Sequence, residues 1–230
     1  ETAEVPSENA EAEAEAAAAQ AKTQKTVSLI VGGVIMVLAA LVILGGLRRI
    51  STTNERIVPF MALFFVAGSL VIIVMNISKV GEALAAIFRG AFTFRSVAGG
   101  AGGAVIARAM QWGFKRGVFS NEAGLGSSVM VHSASNVKEP VVQGLWGIFE
   151  VFADTIIICT CTALVILTSG VVDLDTGASV SGVTKLGLAT EAFTANFGAF
   201  GGVFIAIAVT LFAFTTILGW AYFGEKCWEY

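Results

Sequence analysis

The chain has 230 residues, of which 56% are hydrophobic and 13% are charged, and its formal net charge is −3. This composition excludes a soluble domain, because several uncharged helices of about 20 residues would need a core larger than so short a chain can enclose. The net charge is negative and the sequence shows no sign of a nucleic-acid-binding site, so we expect no nucleic-acid partner.

Residues 1–27 form an acidic segment that is rich in Glu and Ala and has no apolar face. A segment of this composition buries too little apolar surface to offset the entropy of ordering, so we expect a disordered, solvated tail or loop. It also lacks the basic start, apolar centre and cleavage site of a signal peptide. The remainder, 28–230, is expected to form one transmembrane domain.

Five hydrophobic segments follow the acidic one, at 28–47, 57–77, 97–134, 141–170 and 201–224. An uncharged run of this length can cross about 30 Å of hydrocarbon as a helix. The strands of a transmembrane barrel would alternate apolar and polar residues, whereas these segments contain long apolar runs without such alternation. The sequence therefore predicts an all-α membrane protein with about five transmembrane helices.

Basic residues near the ends of the segments predict the orientation of the chain. The link between the first two segments carries three arginines, whereas the link over 171–200 carries three acidic residues and one lysine. The positive-inside rule places the first link in the cytoplasm, and alternation then places 78–96 and 171–200 outside. The stretch 81–94 mixes apolar and charged residues in a pattern typical of a short helix at the membrane interface.

The third segment is interrupted by the string RGVFSNEAGLGSS over 116–128. Its glycines favour an unwound backbone, and Ser120, Asn121 and Glu122 add polar groups that are costly to bury in lipid. Broken backbone at membrane depth is tolerated where it lines a cavity, and its amides and carbonyls can bind a carboxylate, an ammonium group or a sodium ion. The alternative is a loop at the membrane surface.

The fifth segment carries a second polar cluster, in which Thr215 and Thr216 are followed by Trp220. Thr216 and Trp220 are four residues apart and share a helix face. Two adjacent hydroxyls and nearby carbonyls offer the hard oxygen ligands that a small cation prefers. As alternatives, a threonine in a membrane helix often donates to its own backbone one turn earlier, and a tryptophan can mark the interface.

The fourth segment contains two carboxylates, Glu150 and Asp154, four residues apart and on one helix face. Intramembrane acids usually face the interior of a helix bundle, where they can take part in a coupling pathway. The alternative is that they pair with Arg108 or lie near the cytoplasmic mouth.

Three long motifs and two earlier stretches carry a family resemblance. The motifs are RGVFSNEAGLGS, PVVQGLWGIFEVFADTIIICTCTALVILTSG and LFAFTTILGWAYFGEKCWEY, preceded by ALVILGGLRRI and ERIVPFMALFFVAGSLV. In this order they resemble the later half of the alanine or glycine:cation symporters, over about 28–230.

Members of that family resemble the inverted-repeat transporters of the neurotransmitter:sodium symporter type, whose substrate lies at mid-membrane between two broken helices. The interrupted segment would be the second of these broken helices. By this resemblance the substrate-binding residues would be Ser120, Asn121, Glu122, Gly124, Leu125, Thr216 and Trp220, and the sodium ligands would be Thr215 and Thr216. Trp220 would keep the pocket small enough to favour alanine and glycine.

The resemblance implies sodium-coupled symport of small neutral amino acids such as alanine or glycine across the cell membrane. The partners would be the amino acid, Na+ and membrane lipid, with sodium as the coupling ion and no other cofactor. An enzyme is not expected, because the sequence has no nucleophile with a base, no metal-ligand spacing and no phosphate loop. Proton coupling, another solute on the same fold, and a channel or non-transporting partner subunit are the alternatives.

The sequence departs from the family pattern in two places. Ser127, Ser128 and Val129 stand where the family usually has a small residue and a proline. The first broken helix of the family, with its own glycine-rich motif, has no counterpart in these 230 residues. Because that helix would supply half of the ligands, we do not expect the chain alone to transport.

Overall fold

The computed structural model describes residues 8–92, 111, 113–115, 121, 125–174, 178–184 and 186–229. Much of the third hydrophobic segment, including most of the predicted broken stretch, lies outside these residues. The chain divides into two compact units, Glu1–Asn54 and Glu55–Tyr230.

The first unit contains helix α1, Glu8–Ile43, and the start of helix α2, which begins at Gly46. Gly46 has a φ of 70°, a left-handed conformation that favours glycine, and it separates the two helices. After this turn, Arg49 donates an Nη1 hydrogen bond back to the carbonyl oxygen of Leu41 at 3.0 Å.

The disordered tail expected over 1–27 differs from the structure, because α1 already begins at Glu8. Alanine and glutamate are strong helix formers, and an alanine-rich run can take up a helix without an apolar face to bury. The side chains described over 22–27 are exposed, as the sequence suggested. The division of the chain into a tail and a transmembrane domain stays a prediction.

Helices make up most of the second unit. Among the described residues they are α2 (Gly46–Met75), which begins in the first unit, α3 (Ile77–Phe92), α4 (Ser128–His132), α5 (Pro140–Val151), a π segment (Phe152–Ile158), α6 (Cys159–Thr168), α7 (Leu186–Phe197) and α8 (Ala199–Glu229). Helix α5, the π segment and α6 follow one another without a break and form one rod of 29 residues. Between α6 and α7, the described residues show one isolated antiparallel bridge, Val172 with Ser179.

Four helices in the described part of the chain are long and apolar enough to cross a membrane: Lys22–Ile43, Gly46–Met75, Pro140–Thr168 and Ala199–Glu229. They correspond to four of the five predicted hydrophobic segments, whose helical nature is thereby confirmed. The remaining segment, 97–134, lies largely outside the described residues. Residues 81–92 of the short helix expected over 81–94 are helical, as part of α3, and residues 93 and 94 lie outside the described residues.

An apolar cluster holds α2, α6, α7 and α8 together. Phe193 of α7 is fully buried, and its ring stacks on that of Phe204 with 5.1 Å between the centroids. Phe204 also stacks on Phe64 of α2 at 4.4 Å. Val165 of α6, which is fully buried as well, completes this core. Stacked aromatic pairs add about 0.5–1.5 kcal/mol beyond their buried area, so these rings fix the mutual placement of three helices.

Candidate substrate and ion site

Of the residues predicted in the broken stretch, the structure describes Asn121 and Leu125. Ser120, Glu122 and Gly124 lie outside the described residues, and their role stays a prediction. Leu125 is exposed, and Gly126 after it has a φ of 76°. This left-handed conformation favours glycine, and it turns the chain into the short helix α4.

Asn121 is bonded to a residue that the sequence analysis did not single out. Its Nδ2 donates to the hydroxyl oxygen of Thr155 at 3.2 Å, across 34 residues of sequence, and both side chains are half-buried. Thr155 lies in the π segment, next to Asp154. The only sequence signal near it was the intramembrane carboxylate of Asp154, because a threonine in an apolar run is unremarkable by itself.

The π segment is seven residues long, Phe152–Ile158, and the backbone N–H of Cys159 donates to the carbonyl oxygen of Asp154 across the widened turn. Turns of this kind are rare and often lie at functional sites, because the extra residue displaces side chains and carbonyls from their α-helical positions. The Asp154 side chain here is half-buried, whereas that of Glu150, one turn earlier, is exposed.

Thr215 and Thr216 share one backbone acceptor. The hydroxyl of Thr215 donates to the carbonyl oxygen of Phe212 at 3.1 Å, and that of Thr216 donates to the same oxygen at 2.7 Å. Both threonines therefore make the backbone bonds that the sequence analysis named as an alternative. A hydroxyl that donates its proton still keeps its oxygen lone pairs, so the bonds leave a group of three oxygens.

The two threonines lie on different sides of α8. Thr215 is 7% exposed and faces α2, where its Oγ1 is 3.5 Å from the Sδ of Met61. Thr216 is exposed, and so is Trp220 one turn later, whose ring meets that of Phe223 edge-on at 5.6 Å. Thr216 and Trp220 thus present one polar and one aromatic group on the open side of this helix.

The segment after the broken stretch packs against the same helix. Tyr222, two residues beyond Trp220, donates its hydroxyl to the carbonyl oxygen of Met130 in α4 at 3.5 Å. The structure therefore brings the continuation of RGVFSNEAGLGS beside the motif LFAFTTILGWAYFG. Within the described residues, no group of three or more His, Cys, Asp or Glu side chains could hold a metal ion.

A model of the sodium:alanine symporter family matches residues 5–230. The chain belongs to this family. It is 42% identical over 202 residues to the sodium/alanine symporter AgcS of Methanococcus maripaludis, a match that covers 88% of the chain and 43% of that relative.

Two further relatives in the sodium:alanine symporter family are more distant. The sodium/proton-dependent alanine carrier protein of Bacillus sp. strain PS3 is 37% identical over 205 residues, which are 86% of the chain and 45% of that protein. The probable sodium/glutamine symporter GlnT of Bacillus subtilis is 34% identical over 197 residues, which are 86% of the chain and 39% of that protein. The chain thus spans less than half the length of these relatives.

Membership of the sodium:alanine symporter family confirms the resemblance that the motifs carried. The family consists of transporters rather than enzymes, which agrees with the lack of catalytic motifs in the sequence. Together with four helices able to cross a membrane, it identifies the chain as an integral, multi-pass membrane protein.

Proposed function

We propose that the full-length protein carries out sodium-coupled symport of a small neutral amino acid, such as alanine or glycine, across the cytoplasmic membrane. The observation that carries this proposal is the family match, which extends over 5–230 and therefore includes both polar motifs. Sodium moving down its gradient would drive the amino acid inward, and no bond would be made or broken.

The architecture proposed for this activity is an inverted-repeat core of the neurotransmitter:sodium symporter type, to which this chain contributes about five helices, one of them broken. Two features support the broken helix. The left-handed turn at Gly126 interrupts the backbone just before α4. The amide of Asn121 finds its partner on another helix, Thr155, as an unwound segment requires.

The proposed sodium ligands are Thr215 and Thr216. The carbonyl oxygen of Phe212 lies within hydrogen-bonding distance of both hydroxyl oxygens, so the three hard oxygen atoms form one group. Sodium, like other hard cations, is bound by such oxygens.

The proposed substrate-binding residues are those of the broken stretch, Ser120, Asn121, Glu122, Gly124 and Leu125, together with Thr216 and Trp220. Backbone amides and carbonyls freed by unwinding suit the carboxylate and ammonium groups of an amino acid. The exposed indole of Trp220 lies one helical turn from Thr216, where it would restrict the volume left for the substrate side chain.

Uptake of labelled alanine into proteoliposomes tests the proposal, with and without an inward sodium gradient. We compare the wild type with Thr216→Ala and with Thr210→Ala, a matched control on α8 whose exposed hydroxyl bonds its own backbone at 2.7 Å in the same way. Accumulation above the external concentration is expected only with sodium, and only Thr216→Ala should abolish it. Equilibration without accumulation would instead indicate a channel.

Proton coupling is the second candidate, and two observations favour it. Asp154 lies half-buried within a candidate membrane span. The Bacillus sp. PS3 relative is described as sodium/proton-dependent. A proton gradient imposed in sodium-free vesicles separates the two, because it drives alanine accumulation only if protons couple. Uptake of labelled glutamine into the same vesicles tests whether the protein transports glutamine, the solute in the description of GlnT.

A further inference from the structure

The hydroxyl of Thr155 is engaged differently from those of five other threonines in the membrane spans. In those five the hydroxyl donates to the carbonyl oxygen four residues earlier, at 2.7–3.1 Å: Thr162, Thr168, Thr210, Thr215 and Thr216. That is the usual bond of a threonine inside a helix. Thr155 instead accepts a hydrogen bond from the Asn121 amide at 3.2 Å.

The π segment accounts for this difference. A π turn contains one residue more than an α turn, so the carbonyl four residues earlier no longer lies directly beneath the side chain. Thr155 is the central residue of the π segment, Phe152–Ile158. Its hydroxyl is therefore released from the local backbone bond and can serve a neighbouring segment of the protein.

Asn121 lies in the stretch that is proposed to be unwound. A regular helix fixes the direction of its side chains through its own hydrogen-bond ladder, whereas an unwound stretch relies on partners from neighbouring elements. The π segment is continuous with α5 and α6 and lies inside one candidate membrane span. The hydrogen bond with Thr155 orients the Asn121 side chain.

We propose that Thr155 is a positioning residue that fixes the Asn121 side chain in the orientation that receives the amino-acid substrate. The inference rests on the proposed function, because the substrate is that of the symporter. Thr155 acts through Asn121, so its loss lowers the affinity for the substrate and leaves the maximal rate of transport close to that of the wild type.

The test compares sodium-driven alanine uptake by the wild type, Thr155→Val, Thr155→Ser and Thr162→Val. Valine has the shape of threonine without the hydroxyl, and serine restores the hydroxyl. We expect Thr155→Val to raise the KM for alanine about tenfold, which corresponds to about 1.4 kcal/mol, with little change in maximal rate. Thr155→Ser should return the KM to within about threefold of the wild type. Thr162, whose hydroxyl bonds its own backbone at 2.8 Å, is the matched control and should not change either value.

Hydrogen–deuterium exchange gives a readout that does not depend on transport. Peptides containing Asn121 should exchange faster in Thr155→Val than in the wild type, and at the wild-type rate in Thr155→Ser and Thr162→Val. If the wild type accumulates no alanine, the proposed function fails while this measurement still tests the Asn121–Thr155 pair.

Two outcomes overturn the positioning role. One is a Thr155→Val protein with wild-type KM and wild-type exchange at Asn121. The other is a Thr155→Ser protein that behaves like Thr155→Val, because the hydroxyl would then be irrelevant. If Thr155→Val does not yield monodisperse protein, Thr155→Ala takes its place, since alanine also removes the hydroxyl and adds no atoms.

Discussion

Asn76 donates its side-chain Nδ2 to the Oδ1 of Asn196 at 2.6 Å, and this bond joins the end of α2 to α7. The Nδ2 of Asn196 donates in turn to the hydroxyl of Ser169, just beyond α6, at 2.8 Å. All three side chains are half-buried. The chain of hydrogen bonds therefore ties together three elements at one end of the bundle.

Replacing Asn196 with alanine should destabilise the protein. The substitution removes both bonds and leaves the amide of Asn76 and the hydroxyl of Ser169 partly buried with fewer partners, a loss of about 1–3 kcal/mol in the free energy of unfolding. Thermal unfolding in detergent should show a clearly lower midpoint. Thr194→Ala, at an exposed position of the same helix, is the control and should leave the midpoint unchanged. Equal midpoints for the two variants would contradict a stabilising role for the network.

Gly201 lies where α8 approaches the end of α7 most closely. A Cβ at this position would lie 2.3 Å from the carbonyl oxygen of Phe193 and 2.4 Å from its carbonyl carbon. Backbone atoms cannot move aside as a flexible side chain can, so Gly201→Ala should separate the two helices. We expect a loss of about 1–3 kcal/mol in the free energy of unfolding.

The neighbouring glycine supplies the control for this prediction. A Cβ on Gly202 would be no closer than 3.9 Å to the hydroxyl of Thr194, which is ordinary contact. Gly202→Ala should therefore be neutral or slightly stabilising, because alanine favours helix more than glycine does. The thermal unfolding midpoints of the two variants test this prediction. A Gly201→Ala protein as stable as Gly202→Ala would show that Gly201 is not tightly packed against the backbone of α7.

Composition predicted the spans well because an uncharged apolar run has few alternatives in a membrane. Helix α8 and the rod Pro140–Thr168 cover the predicted segments closely for this reason. The π segment inside that rod could not be predicted, because the apolar composition of FADTIII suits an α-helix and a π-helix equally well. The pairing of Asn76 with Asn196 also has no local signal, because the two residues are 120 positions apart and meet only through helix packing.

The candidate site residues could be chosen from the sequence, and their roles stay a prediction. Polar residues stand out in apolar segments, so Asn121, Thr215 and Thr216 could be chosen from the sequence. Which side of α8 each threonine faces could not, because adjacent residues differ by about 100° around a helix and the position of α2 decides which is buried. Thr155 was missed because its role depends on a π turn and a partner 34 residues away.

The ring of Phe204 packs directly against the backbone of Gly68 in α2. A Cβ on Gly68 would lie 2.3 Å from the Cζ of that ring, which is 4% exposed and stacked on Phe193 and Phe64. The ring has little room to withdraw, so Gly68→Ala should lower the free energy of unfolding by about 1–3 kcal/mol.

A smaller side chain at position 204 should relieve the clash between the Phe204 ring and a Cβ on Gly68. Phe204→Leu alone is expected to destabilise the cluster, since it leaves a gap among the aromatic rings, but the double variant Gly68→Ala/Phe204→Leu should be more stable than the sum of the two single changes predicts. Gly219→Ala, at a helical position with no atom within 4 Å of the added Cβ, serves as the control. Additive single effects in thermal unfolding would mean that the two residues do not press on each other.

Ser69, next to Gly68, is a fully buried hydroxyl with no hydrogen-bond partner among the described residues. The residues one turn away along the same helix face, Phe65, Ile72 and Ile73, are buried and apolar. A buried hydroxyl without a partner is costly, so Ser69→Ala should leave the free energy of unfolding unchanged or raise it by about 1 kcal/mol.

Thr168→Val is the matched comparison, because Thr168 is equally buried but donates to the carbonyl oxygen of Leu164 at 2.7 Å. That variant should lose about 0.5–1.5 kcal/mol with its hydrogen bond. If thermal unfolding shows Ser69→Ala to be the less stable of the two, the Ser69 hydroxyl has a stabilising partner in the folded protein and the prediction is wrong.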